Sequence, residues 1–410
     1  MNTDWKEMKL IDVLQKTETI NPQKNPNASF EYIDVSSICN KRFVIQEVST
    51  IVGKNAPSRA RRLVRKGDIL FATVRPTLKR IAEVPQYLDG QVCSTGYFVL
   101  RPKDFVEGKF LFYFLFTKNF MGAMEQLQKG ASYPAVNDGD VSSQSIFIPP
   151  LPEQKRIVAI ADEAFEGIDR AIRNTEKNLS NARELFESYL NSIFTQKGDG
   201  WEEKTLHEIS TQFSRGKSKH RPRNDKKLYD GQYPFIQTGD IRNSNHIVNR
   251  YSQTYNEVGL AQSKLWTKGT VCITIAANIA ETGVLDFAAC IPDSIIGLVV
   301  DQNKANNMFV EYMLQAFKFI LKAKGQGSAQ DNINMGTFES QTFPFPLIDE
   351  QEKIVEKLDF LSAETQRLET IYRQKIAALK ELKQSILQKA FTGELTVQLR
   401  SPTTADKGEK

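Results

Sequence analysis

The chain says the same thing twice. Trp5-Lys6-Glu7 with Leu10 recurs as Trp201-Glu202-Glu203 with Leu206, and Tyr32-Ile33 with Ile38 recurs as Phe235-Ile236 with Ile241. Lys66-Gly67 before an apolar run returns as Lys268-Gly269, and Glu153-Gln154 with Ile157-Val158 returns as Glu350-Gln351 with Ile354-Val355. The offset stays between 196 and 203 over the full 410 residues. A drift that small over that length marks a duplication: two tandem copies of one unit, with a period far longer than a solenoid repeat. Whatever fold results must be built twice, and two like units favour an isologous, pseudo-two-fold arrangement.

Each unit divides into a globular and a rod-like part. Residues 1–150 and 198–346 carry short β-favouring runs (32–35, 69–74, 97–100, 146–148; then 235–238, 271–275, 295–300, 342–345) between Gly, Pro, Asn and Asp. One helical pattern, around 110–124 and again around 309–322, interrupts them. Strands mixed with one or two helices predict a mixed α/β (α+β) domain. The stretches 151–197 and 347–395 open at proline-rich junctions and contain no proline beyond Pro152. Their apolar residues recur at spacings of mostly three and four, which predicts long helices with a heptad seam. Ile157, Ile168, Leu179 and Phe186 mark that seam in the first helix, and Ile354, Leu361, Leu368, Leu379 and Ile386 in the second. At 1.5 Å per residue each rod would be about 60 Å long. A stripe of that length needs a partner, and the economical one is the matching helix of the other copy, as an antiparallel coiled coil. The alternative is that each helix packs on its own globular domain. The polar segment 396–410 is expected to be disordered.

Composition narrows the function. Hydrophobic residues at 40% and charged residues at 25% describe a folded chain. The longest apolar runs fall well short of the roughly 20 residues of a membrane helix, and the first ten residues lack a secretory apolar stretch. Four scattered cysteines and three histidines show no metal-ligand spacing, so neither a disulfide framework nor a zinc site is expected. A cytoplasmic location fits this pattern. No phosphate loop, nucleophile elbow, HExxH or dinucleotide fingerprint is present. Nor is there the Asn/Asp-Pro-Pro-aromatic tetrapeptide of amino-methylating DNA methyltransferases; no catalytic centre is expected in this chain.

Net charge is only +5, but the cations cluster. Lys54, Arg59, Arg61, Arg62, Arg65 and Lys66 fall within thirteen residues without an acid, followed by Arg75, Lys79 and Arg80. The second copy crowds Arg215, Lys217, Lys219, Arg221, Arg223, Lys226 and Lys227 into thirteen residues with Asp225 as the only acid. A single charge run is usually a solvated face. One run per duplicated domain points to phosphate neutralisation on DNA. Base readout needs polar or planar side chains on exposed loops. Ser132, Tyr133 and Asn137 in the loop from Gly130, and Gln330, Asn332 and Asn334 in the corresponding loop from Gly327, are candidates, with Asn278 at a strand end. Ordinary turn chemistry is the competing reading for each asparagine.

Pro-Leu-Pro-Glu-Gln-Lys-Arg-Ile-Val (150–158), Glu-Gln-Glu-Lys-Ile-Val (350–355), Thr238-Gly239-Asp240-Ile241, Thr282-Gly283-Val284-Leu285, Pro292-Asp293-Ser294 and the helix end Ala390-Phe391-Thr392-Gly393-Glu394-Leu395 complete the pattern. Together, duplicated and in order, they resemble the specificity subunit of type I restriction-modification systems. The resemblance implies two target-recognition domains, each reading one half of a split DNA site, joined by two spacer helices. It implies no catalysis by this polypeptide and no cofactor bound to it. Two methyltransferase subunits using S-adenosylmethionine would dock on the helices, and motor-nuclease subunits using ATP and magnesium would join them. Half-sites about one turn apart, ~34 Å, would lie on one face of the duplex. Loops that differ between the copies imply an asymmetric target. A coiled-coil scaffold that binds only proteins, and an enzyme with an unfamiliar centre, are the rival readings.

Overall fold

The computed structural model describes residues 4–276, 279–325, 335–339 and 341–397. The chain divides into two compact units, Met1–Thr175 with Gln374–Lys410, and Glu176–Arg373. Each unit therefore holds one globular domain plus one stretch from each long helix.

The two domains share one plan. In the first, a four-stranded sheet runs in the order Ser49–Val52, Ser29–Ile33, Val92–Ser94, Ala60–Leu63, and in the second Gln253–Tyr255, Tyr229–Phe235, Ala289–Cys290, Leu265–Trp266. Only the central pair is parallel, Tyr32 opposite Val92 and Phe235 opposite Cys290. Beside it an antiparallel sheet sets Ile69–Ala72 between Tyr97–Leu100 and Ile81–Glu83; its counterpart sets Val271–Thr274 between Ile295–Val300 and Thr282–Leu285. The second copy extends this sheet with Ser210–Arg215 and Ile247–Val248. Both central strands are buried along their whole length, which explains unbroken apolar runs where a half-exposed strand would alternate. The glycine before each, Gly67 (φ +81°) and Gly269 (φ +84°), takes the left-handed turn that starts the strand. Lys6–Lys9 pairs with Ser145–Ile148, and Glu202–Thr205 with Thr342–Phe345, so each domain's ends meet.

The single helical pattern expected in each domain is broken in two: Gly108–Phe114 and Lys118–Leu127, then Asn307–Ala316 and Lys318–Gly325. In the first copy Thr117 caps the new start, its hydroxyl accepting from the Phe120 N–H.

The long helices span Leu151–Gln196 and Ile348–Thr392. Gly393 (φ +82°) ends the second, followed by a helical turn at Glu394–Val397. Thr396, expected to begin a disordered tail, is instead buried; residues 398–410 of that expected tail lie outside the described residues. Within the first unit Lys383 reaches Asp169 at 2.8 Å while Leu387 and Ala390 share a core with Ile157, Val158 and Ala161, so the two stretches run antiparallel. Within the second, Arg183 forms a bidentate pair with Glu369 at 2.7 Å and Lys357 lies over the Tyr189 ring. That pairing is antiparallel too.

The seam expectation needs correction at three positions. Ile157 and Ile168 are buried against the globular core as well as the partner helix. Both the coiled-coil and the domain-packing alternatives hold, at different heights of the same helix. Leu368 is 38% exposed, because a two-helix pair covers only the strip of each helix facing its partner. Leu179, Phe186, Ile354, Leu361, Leu379 and Ile386 are half-buried.

Candidate nucleic-acid interface

In the first domain the basic run occupies the edge strand of the four-stranded sheet and the turn before it. Lys54 and Arg59 are exposed. Arg61 is half-buried and donates to the Ala60 carbonyl at 2.9 Å. Arg62 is tied to Asp138 at 2.6 Å with only 17% of its side chain exposed. It therefore holds the start of the short helix that follows the loop from Gly130 and is not an unengaged phosphate contact. Arg80 donates to the Val35 carbonyl at 3.1 Å, and Lys79 is half-buried in a left-handed turn (φ 54°). Arg75 packs against Tyr133, which is 71% exposed. Ser132 lies exposed beside it and its carbonyl accepts from Arg75. Asn137 caps the short helix Asp138–Ser142: its side chain accepts from the Asp140 N–H at 2.9 Å while Asp140 accepts from the Asn137 N–H at 2.8 Å. That is the local turn chemistry, not a group aimed at bases.

In the second domain the basic run is a folded loop gathered by one acid. Asp293, in the Pro-Asp-Ser motif, accepts from Arg223 at 2.5 and 2.7 Å and lies 3.5 Å from Arg221, while its carbonyl accepts from Arg215 at 2.7 Å. Arg221 also donates to the Ser218 carbonyl at 2.6 Å. Gly216 fits where a Cβ would stand 2.3 Å from the Ile291 carbonyl oxygen, so the loop hugs the strand ends. Lys217 and Lys219 are exposed. Asn278, Gln330, Asn332 and Asn334 lie outside the described residues.

The two basic runs are not equivalents. The first rides on the strand Ala60–Leu63, whose counterpart is Leu265–Trp266; the second follows Ser210–Arg215 at the edge of the other sheet. Each copy presents positive charge, but from a different element.

Three paired anchors went unread in the sequence. Gln154 and Gln351 are each 0% exposed. Gln154 donates to the carbonyls of Phe105 (2.9 Å) and Pro149 (2.8 Å) and accepts from the Glu107 N–H (2.8 Å). Gln351 does the same with Lys304 (3.3 Å), Pro346 (2.9 Å) and Asn306 (2.9 Å). An amide supplies both donors and an acceptor at one buried point, which a carboxylate does not. Tyr113 donates to Asp162, and Tyr312 to Asp359 at 2.7 Å, fastening each domain to its own helix a second time. Phe391 packs tilted against Phe110 and edge-on to Phe114, as Phe194 packs on Trp201 and Phe309. The recurrence of Glu-Gln at the helix starts was the available signal; that its glutamine is a buried backbone clamp was not.

One ionisable pair lies inside the second domain. His246 Nδ1 meets Glu311 at 2.7 Å, and Glu311 is fully buried with Thr282 donating to it at 2.9 Å. Burial alone would push the imidazole down; the hydrogen bond and charge of Glu311, with the more distant charge of Asp359, outweigh burial and the opposing charge of Lys318 and hold it above its ordinary value. A raised histidine stabilises the fold fully below about 6.5, the unfolded value, and that share is lost as pH climbs through the higher folded value. The second domain should therefore lose stability above pH 6.5 more steeply than a His246→Gln variant. Hydrogen exchange at 271–274, followed from pH 6 to 8.5 and corrected for intrinsic rates, measures it; parallel profiles would refute the linkage.

Among the described residues no group of three His, Cys, Asp or Glu could hold a metal ion, and no helix is long and apolar enough to cross a membrane. The model of the type I restriction modification DNA specificity domain matches the chain twice, over residues 2–179 and 198–379. The HindI specificity subunit of Haemophilus influenzae is 29% identical over 194 residues, 46% of this chain and 41% of that subunit, so this match spans about two-fifths of the relative. The putative MjaX specificity subunit of Methanocaldococcus jannaschii is 22% identical over 96% of this chain and 94% of its own length. Among solved structures, a chain described under the complex assembly and conformational transition of the type I R-M system superposes with a TM-score of 0.85 at 30% identity, covering 96% of this chain and 99% of that one. The crystal structure of the HsdS subunit from Thermoanaerobacter tengcongensis gives a TM-score of 0.65 at 30% identity, covering 96% and 98%. With two matched domains, each carrying its own sheet pair, glutamine clamp and basic segment, the chain belongs to the family of type I restriction-modification DNA specificity subunits.

Proposed function

We propose that each globular domain reads one half of a bipartite DNA site and that the two long helices set the gap between the halves. The observation that carries this reading is one architecture repeated with unlike surfaces. Sheet order, glutamine clamp and tyrosine–aspartate latch recur, whereas the cations stand on different elements and the loops from Gly130 and Gly327 differ in sequence. Conserved scaffolds with divergent loops are what reading two different half-sites requires. The target is then asymmetric. The chain contributes recognition and no bond-making; methyl transfer belongs to methyltransferase subunits carrying S-adenosylmethionine, and translocation and cleavage to motor-nuclease subunits using ATP and magnesium. Exposed cations such as Lys54, Arg59, Lys217 and Lys219 neutralise phosphates and supply affinity common to all sequences.

Removing one heptad, about 10.5 Å of helix, from matched positions of both long helices should change the number of unread base pairs between the half-sites and leave the half-sites themselves intact. Mapping methylated motifs in cells expressing the shortened chain with its partner subunits measures this. An unchanged gap would overturn the spacer role.

A further inference from the structure

Two segments some sixty residues apart in sequence meet at one end of the first domain. Lys129 and Ala135 exchange both backbone hydrogen bonds at 2.9 Å, closing the loop between them. The Val136 N–H donates to the Thr73 carbonyl at 3.0 Å, which fastens that loop to the end of the central strand. There Arg75 is held with φ at +51°, a left-handed conformation that a residue with a side chain adopts only when its surroundings impose it. Its N–H donates to the Pro134 carbonyl at 2.7 Å, its guanidinium donates to the Ser132 carbonyl at 3.1 Å, and the same group lies 4.8 Å from the centre of the Tyr133 ring. The outcome of this strain and bonding is a tyrosine that is 71% exposed. The ring contributes nothing to the core, yet three contacts from one arginine fix the loop that displays it. In the second copy the residues at the corresponding positions are Ala277 and Gln330, so both members of the pair are exchanged together.

We propose that Tyr133 is the specificity-determining side chain for one half-site, and that Arg75 is a positioning residue that braces it rather than a phosphate contact. This rests on the reading of the domain as a DNA-recognition module. A braced ring offers an apolar face to a base or a thymine methyl, and its hydroxyl both donates and accepts at a base edge. An arginine serving phosphates would instead reach outward with its fork unengaged.

The test uses the full chain assembled with its methyltransferase subunits and a pool of duplexes randomised across the methylated motif. The captured fraction is sequenced at two salt concentrations. Tyr133→Ala should lose about tenfold or more of the discrimination at one or two positions of a single half-site. Arg75→Lys, which keeps the charge and loses the planar stack, should lose discrimination at those same positions. The double variant should be no worse than Tyr133→Ala alone, with salt dependence unchanged throughout. Thermal midpoints of all variants should match the wild type, because Arg75 and Tyr133 both lie on the surface, outside the core. Intact discrimination in Arg75→Lys, uniform weakening across all sequences, or a smaller salt dependence in an Arg75→Ala variant would overturn the assignment. A wild-type assembly that captures no sequence preferentially would overturn the DNA-recognition reading itself, and the assignment with it.

Discussion

Ending the chain after Arg373 should unfold or loosen the N-terminal domain, which begins some 370 residues upstream, while the C-terminal domain stays protected. The first unit is made of residues from both ends of the sequence. Leu387 and Ala390 are buried in the same core as Phe110, Leu111, Ile157 and Ala161, and Leu379, Ile386, Phe391 and Leu395 pack against it. Burying one Leu, Ile or Phe contributes about 1.5–3 kcal/mol. Losing several approaches the whole stability of a domain, about 5–15 kcal/mol. The second unit keeps its own set, because Leu190, Phe194, Val355 and Leu358 all precede the cut. Hydrogen exchange separates the two: amides at 69–72 and 110–115 should lose protection while those at 271–274 and 309–314 keep it. Leu387→Ala should give a milder version, about 2–5 kcal/mol, confined to the same unit. Equal protection in both domains after truncation would mean that the shared core does not hold the first unit together.

That dependence was only half legible in the sequence. The duplication announced itself through tryptophans, Lys-Gly turns and Glu-Gln pairs at a nearly constant offset, because those positions answer to backbone geometry and buried polar contacts that both copies need. The long helices were legible for a similar reason: an unbroken three-and-four spacing between prolines has few other outcomes. Which part of each stripe faces a domain and which faces a helix was not, since burial against a sheet and burial in a coiled coil leave the same apolar residue. Ile157 and Leu368 look alike as letters and end up buried and exposed. The basic runs were legible as charge, one per copy, and not as elements: the first falls on the edge strand of one sheet and the second on a loop beside the other. Asn137 was legible after all, since Asn-Asp-Gly-Asp spells a capping box. Asp293 was not: its role depends on Arg215, Arg221 and Arg223 folding back from some seventy residues earlier.

Replacing Gln154 or Gln351 by leucine should be the most damaging single change available at the junction of a domain and its helix. Leucine is close in size, so the loss is one of hydrogen bonds and not of volume. The Gln154 amide serves an N–H and two carbonyls, of Glu107, Phe105 and Pro149, at a point without access to solvent. A group left without a partner costs about 1–3 kcal/mol when fully buried; the contacts to Glu107 and Phe105 are only partly buried, so the single substitution should cost about 3–5 kcal/mol. The loop carrying Phe105 and Glu107 leads directly into the helix Gly108–Phe114, whose Tyr113 also bonds Asp162. Loosening the clamp therefore frees the domain's helix from the rod at two points. Gln154→Glu tests the chemistry more sharply. It preserves shape and the acceptor for Glu107 but loses the donors to two carbonyls and places a charge against them, so it should be at least as destabilising as leucine. Because the clamps are duplicated, Gln154 variants should lower protection in the first unit alone and Gln351 variants in the second alone. Methylated motifs from such variants should lose definition in one half-site while the other remains sharp. A leucine variant at either position that unfolds with the wild-type midpoint, or that blurs both half-sites together, would show that the glutamines do not hold each domain separately to its helix.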